Sequence, residues 1–104
     1  MDYKIVITED AEDDLDRYIR YLLFGKKNKQ AAQNLLDDFM ATKDSLPHVA
    51  TSLKYCENPR LKAYGYRRIN FLNHRYFMLY RIERDMIIID NIFHELQDYE
   101  NKMQ

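Results

Sequence analysis

The spacing of apolar residues changes along this chain, and that change constrains the fold more than any other feature. Between residues 9 and 46 apolar side chains recur at helical spacing, whereas from residue 66 to residue 93 they alternate in short β-branched and aromatic runs. A first short run, Tyr3 to Thr8, also has the character of a strand. The order of strand, helices and strands predicts an α+β fold with the helices packed on one sheet.

Two helices are predicted in the first half of the chain. The first spans residues 9–24, with Thr8 as its N-cap and acidic residues in its first turn, and Gly25 can end it. The second spans residues 29–46, where Pro47 is expected to block its continuation. The polar turn GKKNK joins them into an antiparallel hairpin. The hairpin carries little positive charge on its outer faces, which favours a scaffold role.

The second half predicts a three-stranded antiparallel meander. Alternating residues define the strands, and polar dipeptides between them define two tight turns. The strands are 66–72, 75–82 and 86–93, and the turns are Asn73-His74 and Arg84-Asp85.

Period-two geometry sorts the side chains of the meander onto two faces. With a two-residue turn at Asn73-His74, one face packs on the helices, and Arg67 lies near its rim. The other face stays open and carries Arg68, Asn70, Arg75, Phe77, Leu79 and Arg81. The predicted core is Leu15, Ile19, Leu22, Leu35, Phe39, Ile69, Phe71, Met78 and Tyr80.

The last strand is ambiguous because its apolar run hides the alternation. If Arg84-Asp85 is the turn, Ile88, Asp90, Ile92 and His94 face the open side, and an Asp90–Arg68 ion pair becomes plausible. A change of one residue in that loop reverses the assignment.

Length and composition are typical of one globular domain spanning residues 1–104. The longest apolar run, Met86 to Ile89, is too short to cross a membrane, and the acidic N-terminal stretch does not fit a signal peptide. The single cysteine, Cys56, fits a reducing compartment. These features predict a cytoplasmic protein with no membrane association.

The net charge of −1 hides a segregation of charge. Residues 1–16 hold seven acids against one lysine, residues 54–84 hold eight bases against two acids, and residues 85–104 hold five acids against one lysine. Six of the eight bases are arginine, which suits bidentate contacts to phosphate or carboxylate. The basic segment is either a solvated surface with internal ion pairs or a patch for an anionic partner.

No metal and no cofactor are predicted. The three histidines, His48, His74 and His94, lack the spacing of a metal motif, and one cysteine cannot build a thiolate site. With only two glycines, the chain has no glycine-rich phosphate loop.

Four segments, YKIVITEDAEDDL, GYRRINFLN, YFMLYRI and IFHELQDYENKM, together resemble the RelE/ParE toxin superfamily of bacterial type II toxin–antitoxin systems, the plasmid-stabilisation type. The resemblance covers essentially the whole chain. It implies the strand, helix pair and meander described above, and a cognate antitoxin protein that neutralises the toxin. One branch of the superfamily is formed by RNA-binding mRNA interferases that act on the ribosome, and another branch poisons DNA gyrase.

The RNA-cutting branch has a basic pair on its second strand, an arginine on its third and a Gly-Arg-Arg segment after its fourth. In this sequence Arg68 and Asn70 fall on the basic pair, and Phe77 falls on the arginine position. Glu95, Leu96 and Gln97 stand where Gly-Arg-Arg is expected, whereas Asp98 and Tyr99 match the residues that follow it.

The resemblance therefore implies a reduced mRNA-endonuclease site. Arg68 would hold the phosphate, and His94 or Tyr99 would move a proton. Other side chains would bind phosphate or an acidic partner, namely Arg67, Asn70, Arg75 and Arg81.

Three functions stay open from the sequence. The first is a toxin with weak, ribosome-dependent endonuclease activity. The second is a non-catalytic binding module of the same fold, either a gyrase-type inhibitor or an inactive toxin. The third is a generic α+β protein-interaction domain. The acidic charge after residue 85 favours the second over the first.

Overall fold

The computed structural model describes residues 2–97 and 99–103 and confirms the α+β fold. Four strands form one sheet, with the two long helices on one side and two short helices on the other. The strands are β1 (Lys4–Ile7), β2 (Arg67–Asn70), β3 (Tyr76–Glu83) and β4 (Met86–His94). The helices are α1 (Glu9–Arg20), α2 (Lys29–Val49), α3 (Pro59–Ala63) and α4 (Tyr99–Lys102).

Both long helices begin at capping side chains. Thr8 Oγ1 accepts a hydrogen bond from the amide of Ala11 at 3.2 Å, and Asn28 Oδ1 accepts one from the amide of Ala31 at 2.9 Å. Each bond satisfies an amide that has no partner within its helix. A π-helical turn, Tyr21–Gly25, continues α1, so the helical segment ends at the predicted glycine.

The prediction that Pro47 ends the second helix is wrong, because α2 continues to Val49. A proline in the last turn removes only one backbone hydrogen bond near the end of the helix. Leu46 and Ala50, on either side of it, are fully buried. Their burial holds this turn against the core.

The sheet has the order β1-β4-β3-β2. The meander of β2, β3 and β4 is antiparallel, as predicted, but β1 joins the edge of β4 in parallel. The sheet is therefore mixed, not wholly antiparallel. Alternation places a residue on a face without specifying strand direction, and for that reason the Tyr3 to Thr8 run could not reveal the parallel pairing.

The predicted register of β2 and β3 is confirmed, with Ile69 opposite Met78. Between β3 and β4 a bulge interrupts the ladder: Tyr80 pairs with Ile89 and Leu79 pairs with Asn91, which leaves Asp90 as the extra residue.

The bulge decides the orientation of β4. Before it, Ile88 and Asp90 share the face of Arg81, as predicted. Beyond it, Ile92 and His94 lie on the helix-facing side, where Ile92 joins the main core and the His94 ring packs on Tyr76. Their predicted placement on the open face is wrong, because one extra residue inverts the alternation.

The sheet buries apolar side chains on both faces. The main core lies under the helices and includes the predicted Leu35, Phe39, Ile69, Phe71, Met78 and Tyr80, with Leu15, Ile19 and Leu22 half-buried against it. On the opposite face, Phe77 and Leu79 are buried in a second cluster with Cys56, Leu61 and Phe93. The prediction that this second face is free is therefore wrong at its centre, because residues 53–66 and the C-terminal segment cover it.

Two acidic residues of the helices are buried and serve as anchors. The carboxylate of Asp14 accepts a hydrogen bond from the Ile92 amide at 2.9 Å and so ties α1 to β4 next to the bulge. Asp38 on α2 accepts amide hydrogen bonds from Leu72 and Asn73, and Oδ2 lies 2.6 Å from His74 Nδ1. These bonds hold the β2–β3 loop on the helix.

Candidate functional site

A cleft of about 690 Å³ opens on the sheet face opposite the long helices α1 and α2. The segment before α3, the strand β2 and the helix α4 form its walls. The lining residues used below are Lys54, Tyr55, Cys56, Glu57, Arg68, Asn70, Tyr99 and Glu100. Three of the residues singled out from the sequence, Arg68, Asn70 and Tyr99, therefore lie in one cleft.

Arg68 is held in the cleft by stacking and by one hydrogen bond. Its guanidinium carbon lies 3.7 Å from the centroid of the Phe77 ring, and its Nε donates to Asn70 Oδ1 at 2.9 Å. Among the described residues its two terminal nitrogens make no well-aligned hydrogen bond, although the guanidinium also interacts with the Tyr99 phenol. The fork of the guanidinium is thus positioned for a carboxylate or phosphate from outside.

Tyr99 closes the other side of the cleft. Its ring packs edge-on against Phe77, with 5.0 Å between centroids, and its centroid lies 6.0 Å from the Arg68 guanidinium carbon. Burial raises the pKa of the Tyr99 phenol above its ordinary value, and the neighbouring Cys56 and Glu100 raise it further, against an opposing effect of Arg68. At neutral pH Tyr99 is a hydrogen-bond donor and not a base.

The charge of the cleft is balanced. Within the part of the chain that the structure describes, Arg68 and Lys54 are its cations, and Glu57 and Glu100 are its acids. Glu100 is fixed at the rim because Asn58 donates to its carboxylate at 2.7 Å and Arg60 donates to its carbonyl at 3.0 Å. An anion in this cleft would meet one well-positioned guanidinium and would have negative side chains close by.

His94 is not part of this cleft. Its ring packs edge-on against Tyr76 on the helix-facing side of the sheet, with 5.0 Å between centroids. Its Nδ1 accepts a hydrogen bond from the Leu96 amide at 3.1 Å, so the proton of the neutral ring is on Nε2. The structure separates His94 from Arg68 and Tyr99 by the thickness of the sheet. Asp98, the other matching position, lies outside the described residues.

The remaining predicted arginines differ in how available they are. Arg67 Nη1 donates to the carbonyls of Thr51 and Leu53, and its guanidinium carbon lies 4.1 Å from the Tyr55 ring centroid, so it holds this segment on β2.

Arg81 donates to Asp90 at 2.8 Å, and this bond raises the pKa of the guanidinium. The predicted Asp90–Arg68 ion pair is therefore wrong, because the cross-strand neighbour Arg81 takes the carboxylate. Arg75 is exposed on the loop between β2 and β3.

A second concave surface, the helix groove, lies between α1 and α2. It has a volume of about 300 Å³, an apolar floor and an acidic rim formed by Glu12 and Asp16. The floor consists of Ile7, Ala11, Leu15, Ile19, Leu36 and Phe39. Leu36 and, beside it on the same helix, Met40 are 39% and 43% exposed. This is apolar surface that a partner could bury.

Sequence reasoning missed the cleft wall formed by Tyr55 and Glu100 because residues 47–64 show no period. The helix groove could have been predicted. Leu36 and Met40 belong to the apolar stripe of α2, and that stripe is wider than the core can bury, so some of its residues had to stay exposed.

Among residues 2–97 and 99–103, no three His, Cys, Asp or Glu side chains cluster closely enough to hold a metal ion. No described helix has both the length and the apolar character needed to cross a membrane.

A family model for the ParE toxin of the type II toxin–antitoxin system parDE matches residues 5–99. Because this match covers most of the sequence, the chain belongs to the ParE toxin family, which confirms the resemblance. Among solved structures, a chain of the chromosomal ParDE toxin–antitoxin system from P. aeruginosa is similar in fold, with a TM-score of 0.69 and 21% identity over 88% of this chain and 95% of that chain. A search of curated proteins gives no match.

Proposed function

We propose that this chain is the toxin of a type II toxin–antitoxin pair and that it acts by binding its target, not by cutting RNA. One observation carries the second half of the proposal. Arg68 and Tyr99 share the cleft, whereas His94 lies on the other face of the sheet.

Cleavage through the ribose 2′-hydroxyl requires a base for the hydroxyl proton and positive charge at the phosphate. Tyr99 is unsuited to be the base because its raised pKa keeps it protonated at neutral pH. His94 lies on the other face of the sheet, away from a phosphate held by Arg68. The balanced charge of the cleft gives little further stabilisation. A single guanidinium beside aromatic rings is better suited to recognition than to catalysis.

The antitoxin is the first expected partner. The helix groove fits the apolar face of an amphipathic helix, and its rim acids favour lysine or arginine on the flanks of that helix. Arg68 in the cleft and the exposed Arg75 favour an acidic segment of the same antitoxin. Arg81 contributes less, because Asp90 and Glu83 already neutralise it.

Of the two targets that the resemblance implies, DNA gyrase fits a binding mechanism and mRNA on the ribosome fits a cutting one. We therefore favour gyrase. Such a toxin would work in the bacterial cytoplasm. Its inhibition of growth would depend on the ratio of toxin to target molecules, because a binding toxin does not turn over a substrate.

Growth after induction tests the mode of action. The wild type should slow growth mildly, Arg68→Ala should relieve this effect, and His94→Ala should preserve it. Arg20→Ala is the matched control, because Arg20 is an exposed arginine that pairs, among the described residues, with Asp16 alone. Equal loss of toxicity in Arg68→Ala and His94→Ala would favour the endonuclease, and unchanged toxicity in Arg68→Ala would remove the cleft from the mechanism.

Co-purification with the product of the neighbouring short reading frame tests the antitoxin site. Leu36→Glu places a charge in the helix groove and should weaken the complex at least about tenfold, since it buries an unpaired carboxylate. Leu72→Glu is the control, because Leu72 is 61% exposed outside the groove. Equal capture of both variants would show that the antitoxin does not use the groove.

A further inference from the structure

The tip of the helix hairpin exposes two aromatic rings next to three lysines. Tyr21 is 55% exposed and Phe24 is 72% exposed, and both belong to the π-helical turn that ends α1. Lys26, Lys27 and Lys29 follow directly and are also exposed. We call these five residues the aromatic–lysine tip.

The tip lies in one of the two longest acid-free stretches of the sequence. From residue 17 to residue 36 there is no aspartate or glutamate, although the chain as a whole carries one more acid than base. Arg17 and Arg20 in this stretch are neutralised by Asp14 and Asp16. Among the described residues, none of the three lysines of the tip takes part in an ion pair.

The backbone holds the tip in one shape. The Lys26 amide donates to the Tyr21 carbonyl and the Asn28 amide donates to the Leu22 carbonyl, each at 2.9 Å. A Cβ at Gly25 would lie 3.0 Å from the Tyr21 ring, so glycine is what lets the ring lie over this turn.

Two further features suggest that the tip has a use. Lys27 has a φ of 51°, which is a left-handed backbone conformation. Glycine or asparagine would adopt it with less strain, yet this position is occupied by a lysine. A π-helical turn of this kind is often found at functional sites.

We propose that the aromatic–lysine tip binds single-stranded nucleic acid. Phe24 offers an open ring face on which an unpaired base can stack, and the lysines lie beside it where the adjoining phosphates would pass. Any base can stack on an aromatic ring, so the tip should have little sequence preference. Because the lysines contact phosphates, the affinity should depend strongly on salt concentration. The Arg68 cleft takes no part, and the activity goes beyond the proposed toxin function.

A protein or membrane partner is less favoured by the same residues. Lysine is depleted at the centres of protein interfaces. Binding to a lipid surface usually requires a long apolar helix face, whereas this tip exposes two rings on a turn. The unpaired lysines around one open ring match the requirements of a nucleic-acid strand more closely.

Fluorescence anisotropy with fluorescein-labelled oligothymidylate and the purified chain tests the proposal. Phe24→Ala should weaken binding about 5- to 150-fold. For three phosphate contacts, the logarithm of the binding constant should fall with the logarithm of the salt concentration with a slope of about −2. Most of this salt dependence should disappear in the triple variant Lys26→Gln, Lys27→Gln and Lys29→Gln.

Matched controls come from the chain itself. Tyr64→Ala removes an aromatic ring that is 70% exposed and does not belong to the tip, and it should leave binding unchanged. Since Phe24 is an exposed residue, its truncation should not unfold the chain, and circular dichroism checks this.

Three results would overturn the proposal. They are no binding at about 50 mM salt, equal affinity of the wild type and the Phe24→Ala variant, or a loss in Tyr64→Ala as large as that in Phe24→Ala. Cosedimentation with phosphatidylglycerol vesicles that depends on Phe24, without oligonucleotide binding, would assign the tip to membranes instead.

Discussion

The buried carboxylate of Asp38 is expected to be the strongest single polar contribution to stability in this protein. Its side chain is 1% exposed and interacts with three groups of the β2–β3 loop: the amides of Leu72 and Asn73 and the ring of His74. Asp38→Ala leaves the Asn73 amide and the His74 ring without this partner, whereas the Leu72 amide keeps a longer hydrogen bond to Thr42 Oγ1 at 3.3 Å. Each unsatisfied buried group costs about 1–3 kcal/mol, and the loop is partly open to water, so we take the lower end for each. The expected loss is therefore about 2–3 kcal/mol.

Two companion variants separate charge from hydrogen bonding. Asp38→Asn keeps an acceptor for the amides and should cost about 1–2 kcal/mol, the part due to the charge. His74→Ala removes one partner that is partly exposed and should cost about 1 kcal/mol. Because Asp38 and His74 are in contact, the double variant should lose less than the sum of the two single changes.

Urea unfolding followed by far-ultraviolet circular dichroism measures these differences in the free energy of unfolding. The unfolding midpoints can be compared directly if the variants share the same dependence of that free energy on urea concentration. The reasoning is refuted if Asp38→Ala loses less than about 1 kcal/mol, because the loop amides would then be satisfied by water. It is also refuted if His74→Ala costs as much as Asp38→Ala, since the amides would then contribute nothing.

Three further predictions concern single buried side chains. Phe39→Ala should cost about 3–5 kcal/mol in the same urea assay, because Phe39 is 3% exposed in the main core, and a loss below about 1 kcal/mol would contradict its central position. Burial raises the pKa of Tyr80 to about 12, so its contribution to stability should be complete below pH 10 and should be lost, by up to about 3 kcal/mol, as the pH rises through 12. Tyr80→Phe should flatten this decline, and an equally steep decline in that variant would count against the assignment. Burial also raises the pKa of the Cys56 thiol, so iodoacetamide should label the folded chain far more slowly than the urea-unfolded chain, and equal rates would show that the thiol is accessible.

The parts of the fold that follow from local periodicity could be predicted from the sequence. The alternation in β2 and β3 was enough to place Ile69 opposite Met78, and the caps Thr8 and Asn28 follow from residue type. The bulge could not be predicted, because neither the alternation nor its residue type marks Asp90 as the extra residue of β4. That one residue determines on which face His94 lies.

The site was predictable only in part, for a related reason. Arg68 and Asn70 lie on a regular strand, so their common face follows from the alternation. Tyr55 and Glu100 come from segments without a period, and only the folded chain brings them to the cleft. Asp38 lies between Leu35 and Phe39 on the inward side of α2, a pattern that could have indicated a buried carboxylate.

Mapping of RNA 5′ ends in cells that express the chain tests the central claim most directly. A toxin that binds its target through the Arg68 cleft should slow growth and leave the pattern of 5′ ends the same as in uninduced cells. New ends at fixed codon positions that disappear in Arg68→Ala would contradict the account, because they would show that the cleft cleaves mRNA.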